Sequence, residues 1–151
     1  MIQRIQSVYL LLVVALMAVT AFSPLLALRA NDLSIVGMCA EGIFSKGELI
    51  KPTWGVISVA GLSALVAFIN IFLFKKRKLQ IKIGMLTSFL IILFYITVLA
   101  YFYVYTNNNG LELSSAYYGI ILPFIALIFN LLAIRKVKSD EKLVRSLDRI
   151  R

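Results

Sequence analysis

The sequence predicts an all-α membrane protein of four transmembrane helices, with both termini in the cytoplasm and a short basic amphipathic helix at the C-terminal end. Three observations carry that expectation. Residues 7–28, 54–74, 83–105 and 116–134 form runs without a single Asp, Glu, Lys, Arg or His. At 1.5 Å of rise per residue, runs of about 19 to 23 residues match a hydrocarbon core of roughly 30 Å. Composition is the second observation: 61% of the chain is apolar and its mean hydropathy is +0.92, against roughly 45 to 50% apolar content in soluble domains. In lipid every backbone N–H and C=O needs an internal partner, so such runs are expected as helices. Leu90-Ile91-Ile92-Leu93-Phe94 is apolar on both faces, which the alternating wall of a β-barrel does not allow.

The third observation is where the charge lies. A formal charge of +9 in a soluble protein points to nucleic acid, but here it reads as topology and no nucleic-acid partner is expected. Arg4, the second gap (Lys75, Lys76, Arg77, Lys78, Lys82) and the tail (Arg135, Lys136, Lys138, Lys142, Arg145, Arg149, Arg151) hold thirteen basic residues; the other two gaps hold only Arg29, Lys46 and Lys51. By the positive-inside rule the termini and the second gap face the cytoplasm. Residues 1–138 form the bundle and 139–151 the tail helix.

Helix one opens on Met1-Ile2-Gln3-Arg4-Ile5-Gln6. Val19-Thr20-Ala21 has the spacing of a signal-peptidase site, yet the apolar run continues to Leu28, longer than a signal peptide needs, so a retained helix is expected. Pro24 falls near its outer end, where a kink or early stop costs least. Residues 29–52 are punctuated by Asn31-Asp32, Gly37, Gly42, Lys46-Gly47 and Pro52, and so read as a loop folded over the helix ends. Leu33, Ile35, Val36, Ile43 and Phe44 suit short strands or an interfacial hairpin there, too small for a core of its own. Cys39 is the only cysteine, which forbids an internal disulfide; it reads as a small buried hydrophobe, with pairing between chains as the alternative.

Helix two starts at Trp54, where an interfacial aromatic follows Pro52 and Thr53. Ala60, Ser63, Ala64 and Ala67 share one of its faces, and Asn70 continues that face. Small residues let backbones approach in lipid, so this stripe is expected to pack within the chain, with a homodimer seam as the alternative. Helix three ends among Tyr95, Tyr101, Phe102, Tyr103 and Tyr105, followed by the turn-forming string Thr106-Asn107-Asn108-Asn109-Gly110 and by Tyr117 and Tyr118. Those rings read as an interfacial belt, or alternatively as the lining of a lipid or quinone slot between helices three and four. Pro123 predicts a kink in helix four, and Asn130, at the depth of Asn70, is its expected hydrogen-bond partner.

Ser139-Asp140-Glu141 has the form of a helix start, with a capping hydroxyl and two acids. Leu143, Val144, Leu147 and Ile150 then fall on one side, and so short a helix needs a surface to lie on. Catalytic residues are expected nowhere. The chain has no His and a single Cys, so imidazole chemistry and zinc or iron–sulfur ligation are unavailable, and no metal or cofactor is expected. Asp32, Glu41, Glu48 and Glu112 read as solvated loop acids. No ionisable residue interrupts the four runs, which speaks against a proton- or ion-coupled carrier.

The opening Met1-Ile2-Gln3-Arg4-Ile5-Gln6-Ser7-Val8-Tyr9-Leu10 and the closing Asp140-Glu141-Lys142-Leu143-Val144-Arg145-Ser146-Leu147-Asp148-Arg149-Ile150-Arg151, set around four hydrophobic segments, resemble a bacterial membrane-protein family catalogued as domain of unknown function 4293. The resemblance spans the chain and brings no established activity. It implies that the ends matter. Gln3, Arg4 and Gln6 are therefore expected to dock with Asp140, Glu141, Arg145, Asp148 and Arg149 beneath the bundle, forming a mixed-charge surface for a cytoplasmic or membrane protein partner. A non-enzymatic scaffold, accessory subunit or regulator is the leading expectation; a lipid- or quinone-binding protein is the alternative.

Overall fold

The first helix stops seven residues short of its uncharged run. The computed structural model describes residues 3–29 and 35–148, and α1 covers Gln3–Ala21. Pro24 cannot continue a helix, and the last turn is closed by Thr20 Oγ1 donating to Leu16 O at 2.8 Å and Ser23 Oγ to Val19 O at 2.7 Å. The chain beyond is extended, with Pro24–Arg29 as β1. Ile35–Cys39, Gly42–Ser45, Glu48–Pro52 and Glu112–Ala116 form β2 to β5.

These strands make one antiparallel sheet of order β4-β3-β2-β1-β5. The all-α expectation is thereby corrected. Leu25, Leu26, Ala27 and Leu28 are all buried, so an unbroken apolar run here marks a buried strand, which hydropathy alone does not distinguish from a helix end. Short strands are expected for residues 29–52, but β1 adds the end of the first apolar run and β5 a segment far along the chain, so that the sheet covers one end of the bundle. Between β3 and β4, Lys46 (φ 51°) and Gly47 (φ 88°) are both left-handed and join the Ser45–Glu48 pair, as a two-residue hairpin of matching twist requires.

Helix α2 spans Trp54–Phe72, starting where the sequence placed it. A 3₁₀ turn, Leu73–Lys75, leads into α3, Arg77–Asn109. Thr106 to Asn109 extend α3 instead of turning, and the stop is Gly110, left-handed at φ 60°, whose N–H reaches Thr106 O. A second 3₁₀ turn, Tyr118–Ile120, precedes α4, Leu122–Asp148. Pro123 therefore sits in the first turn of α4, where its missing N–H costs nothing, and produces no mid-helix kink. The helix expected to start afresh at Ser139 is instead the continuation of α4. With no Gly or Pro after Pro123, propagating the existing helix is cheaper than ending it and nucleating another.

Helix α1 packs on α2 and α4, and α3 on the same two. The core runs from Leu10, Val13 and Met17 of α1 through Ala60, Phe94 and Ala126 to Leu25, Met38 and Ile43 of the sheet. The outside is as apolar as the inside: Leu65 is 55% exposed, Phe89 60% and Leu99 59%. A water-facing surface does not carry a band of this kind. Among the described residues three helical segments, Trp54–Phe72, Arg77–Asn109 and Tyr118–Val144, are long and apolar enough to cross a membrane; the apolar part of α1, Ile5–Ala21, is shorter.

Candidate functional site

At the end of the bundle remote from the sheet, three helices converge on Asp140. The buried Gln6 of α1 donates its side-chain amide to the Asp140 carboxylate, and Arg77 Nη1, at the start of α3, reaches Asp140 O at 3.5 Å. Beneath them Ile81, Ile134 and Val137 form a small separate apolar cluster, so the extension of α4 beyond the main core packs on the first turns of α3. Of the expected docking set, Gln6 and Asp140 are in contact and Glu141 is half-buried beside them in sequence. The side chains of Gln3, Arg4, Arg145 and Asp148, and the whole of Arg149, lie outside the described residues.

One step into the bundle is a neutral polar cluster. Asn130, fully buried on α4, donates Nδ2 to Gly84 O and to Ser88 Oγ of α3, both at 2.8 Å. Gln80 Nε2 reaches Asn70 O at 3.5 Å. The expected Asn70–Asn130 pair does not form, since any amide–amide bond needs one Oδ1 as acceptor and both are unpartnered. Gly84 explains why: a Cβ there would lie 2.8 Å from Ile134 Cγ1, so only glycine lets α4 approach closely enough for Asn130 to bond the α3 backbone instead. Among the described residues no donor reaches Asn70 Oδ1, Gln80 Oε1 or Asn130 Oδ1.

Ala60, Ser63, Ala67 and Asn70 are buried and Ala64 is packed against the core. The small-residue face of α2 is thus used inside the chain. Sequence reasoning missed Gln80, Gly84 and Ser88, although their spacing of four puts them on one face of α3 and Gly84-xxx-Ser88 is a close-approach pattern.

The opposite end is built on the sheet. Thr53, fully buried, donates its hydroxyl to Ala40 O at 2.9 Å rather than capping α2, and its N–H reaches Glu41 O at 3.2 Å. The helix start is thereby clasped to the β2–β3 turn. Tyr95 Oη donates to Ile120 O at 2.7 Å, tying α3 to the second 3₁₀ turn. The Cys39 thiol is free and half-buried, and its pKa is pushed up, first by burial and then by the Glu41 carboxylate. A groove of about 170 Å³ opens between α3 and the sheet, lined by Ile43, Lys51, Ala100, Tyr101, Val104 and Tyr105. It adjoins α3 as the tyrosine-lined slot was expected to, but its other wall is the sheet and not α4. Among the described residues no three His, Cys, Asp or Glu side chains cluster as a metal site.

Residues 2–150 fit the sequence profile of the family described as Domain of unknown function (DUF4293). No curated protein matches the chain.

Proposed function

The chain belongs to the DUF4293 family, whose description names no activity, and from that premise we propose that it is a multi-pass protein of the bacterial inner membrane, acting as a non-enzymatic scaffold, accessory subunit or regulator through its cytoplasmic face. In this reading all four helices cross the bilayer and both termini are cytoplasmic. The nineteen residues of α1 give about 28 Å of helix, close to the hydrocarbon thickness, with β1 completing the crossing at the outer interface. The basic gap and tail share one end of the bundle, which the positive-inside rule puts in the cytoplasm.

The observation that carries the reading is the convergence of Gln6, Arg77 and Asp140. It anchors the charged extension of α4 to two other helices, so the extension is held as a surface and not left as a loose tail. Mild-detergent pull-down of the full chain and of a chain lacking residues 139–151 tests it. A partner retained by the first and lost by the second is expected; identical co-purifying sets would refute it. The second reading, a lipid- or quinone-binding protein, is favoured by the groove beside Tyr101.

A further inference from the structure

Among the described residues the groove between α3 and the sheet has one charged residue in its lining, Lys51, and no acid; the rest are Ile43, Ala100, Val104 and two tyrosines. Its height along α3 is set by the helix itself. Lys82 is the last cation before the uncharged stretch, and Tyr101 lies nineteen residues further on, about 28 Å away at 1.5 Å per residue. With Lys82 at one membrane surface, Tyr101 reaches the far edge of the roughly 30 Å hydrocarbon core and Tyr105 lies beyond it. The groove therefore straddles the boundary between acyl chains and headgroups. It is also continuous with the lipid-facing side of α3, where Ile96, Leu99 and Tyr103 are exposed.

We propose that this groove binds an anionic glycerophospholipid of the outer leaflet, with part of one acyl chain along Ala100 and Val104 and the phosphate paired with the Lys51 ammonium. The inference rests on the second reading above and narrows it. A quinone headgroup is neutral and is served by hydrogen-bond donors alone, whereas a lone cation at the headgroup level of an apolar groove complements a phosphate. Glu48 and the turn residue Lys46 share the hairpin with Lys51, and neither lines the groove.

Native mass spectrometry of the delipidated full chain in neutral detergent tests the proposal, with phosphatidylglycerol and phosphatidylcholine as probes at equal concentration. The wild type is expected to retain phosphatidylglycerol preferentially, and Lys51→Gln to weaken that binding about fivefold and phosphatidylcholine binding less, because the choline ammonium already partly neutralises that lipid's phosphate. Val104→Trp, which fills the groove from an exposed position, is expected to weaken both lipids with the melting temperature preserved. Equal retention of the two lipids by the wild type, or no effect of Lys51→Gln, overturns the proposal. Displacement of phosphatidylglycerol by a short-chain ubiquinone, independent of Lys51, overturns it but leaves the broader lipid-or-quinone reading standing; retention of neither class overturns both.

Discussion

Gln6 and Asp140, 134 positions apart in the chain, are joined by a side-chain hydrogen bond that fixes α1 against α4. A donor meeting a carboxylate in a partly buried setting is worth more than a neutral pair, of order 1.5 to 3 kcal/mol. The cycle of Gln6→Ala, Asp140→Ala and the double variant should show a coupling of the same order in detergent unfolding. Strict additivity would mean that the side-chain contact contributes nothing and that the α4 extension is held by Arg77 on the Asp140 backbone oxygen and by Ile81, Ile134 and Val137.

Gly84 and Asn130 make the corresponding joint inside the bundle. Gly84→Ala puts a methyl 2.8 Å from Ile134 Cγ1 and 3.2 Å from its Cδ1, and overpacking of this kind typically costs about 1 to 3 kcal/mol. Asn130→Leu removes both bonds to α3 for about 1 kcal/mol. Thermal unfolding should rank Gly84→Ala below Asn130→Leu, because the first separates the helices and so also weakens the second contact. If Gly84→Ala were as stable as the wild type, the Ile134 side chain would not be packed against the α3 backbone at Gly84.

The helices were legible because each is a long stretch that lipid permits and charge bounds. Trp54 marked the start of α2 to the residue, since Pro52 and Thr53 leave no earlier place to begin. The sheet was only half legible. Val36, Ile43 and Phe44 suggested strands, but Leu25 to Leu28 carry no alternation, and their partners Leu113, Ser115 and Ala116 lie some eighty-five residues away in a polar, exposed strand that no local pattern announces. The inner polar cluster failed for a different reason. Asn70 and Asn130 stood out as polar residues inside apolar runs, yet the partners of Asn130 are Gly84 and Ser88, residues whose value lies in being small and which hydropathy does not register, while Asn70 is met through its backbone oxygen by Gln80.

The β3–β4 hairpin depends on two consecutive left-handed residues. Gly47 adopts φ 88° without strain, whereas a β-branched residue there pays roughly 1 to 2 kcal/mol. Gly47→Val should lower the melting temperature and speed proteolysis within residues 42–52. Lys46→Asn should be neutral or stabilising, because asparagine accepts the same backbone region. Equal stability of Gly47→Val and the wild type would show that the turn is not held in this conformation.

Cys39 supplies a titration and a topology marker in one side chain. Burial and the Glu41 carboxylate both disfavour its thiolate, so its alkylation rate should rise with pH later than that of a free thiol, whose pKa is about 8.5. The sign for stability follows: between the ordinary and the raised pKa only the unfolded chain releases the proton, so the protein loses stability as pH rises through that window and loses none below it. Glu41→Gln should move the alkylation midpoint downward, by less than full exposure would, since burial is the larger cause. In intact cells an impermeant maleimide should reach Cys39 at high pH and fail to reach Arg77→Cys in a Cys39→Ser background. Labelling of the second and protection of the first would invert the bundle, and would place the Gln6–Asp140 contact on the outer face.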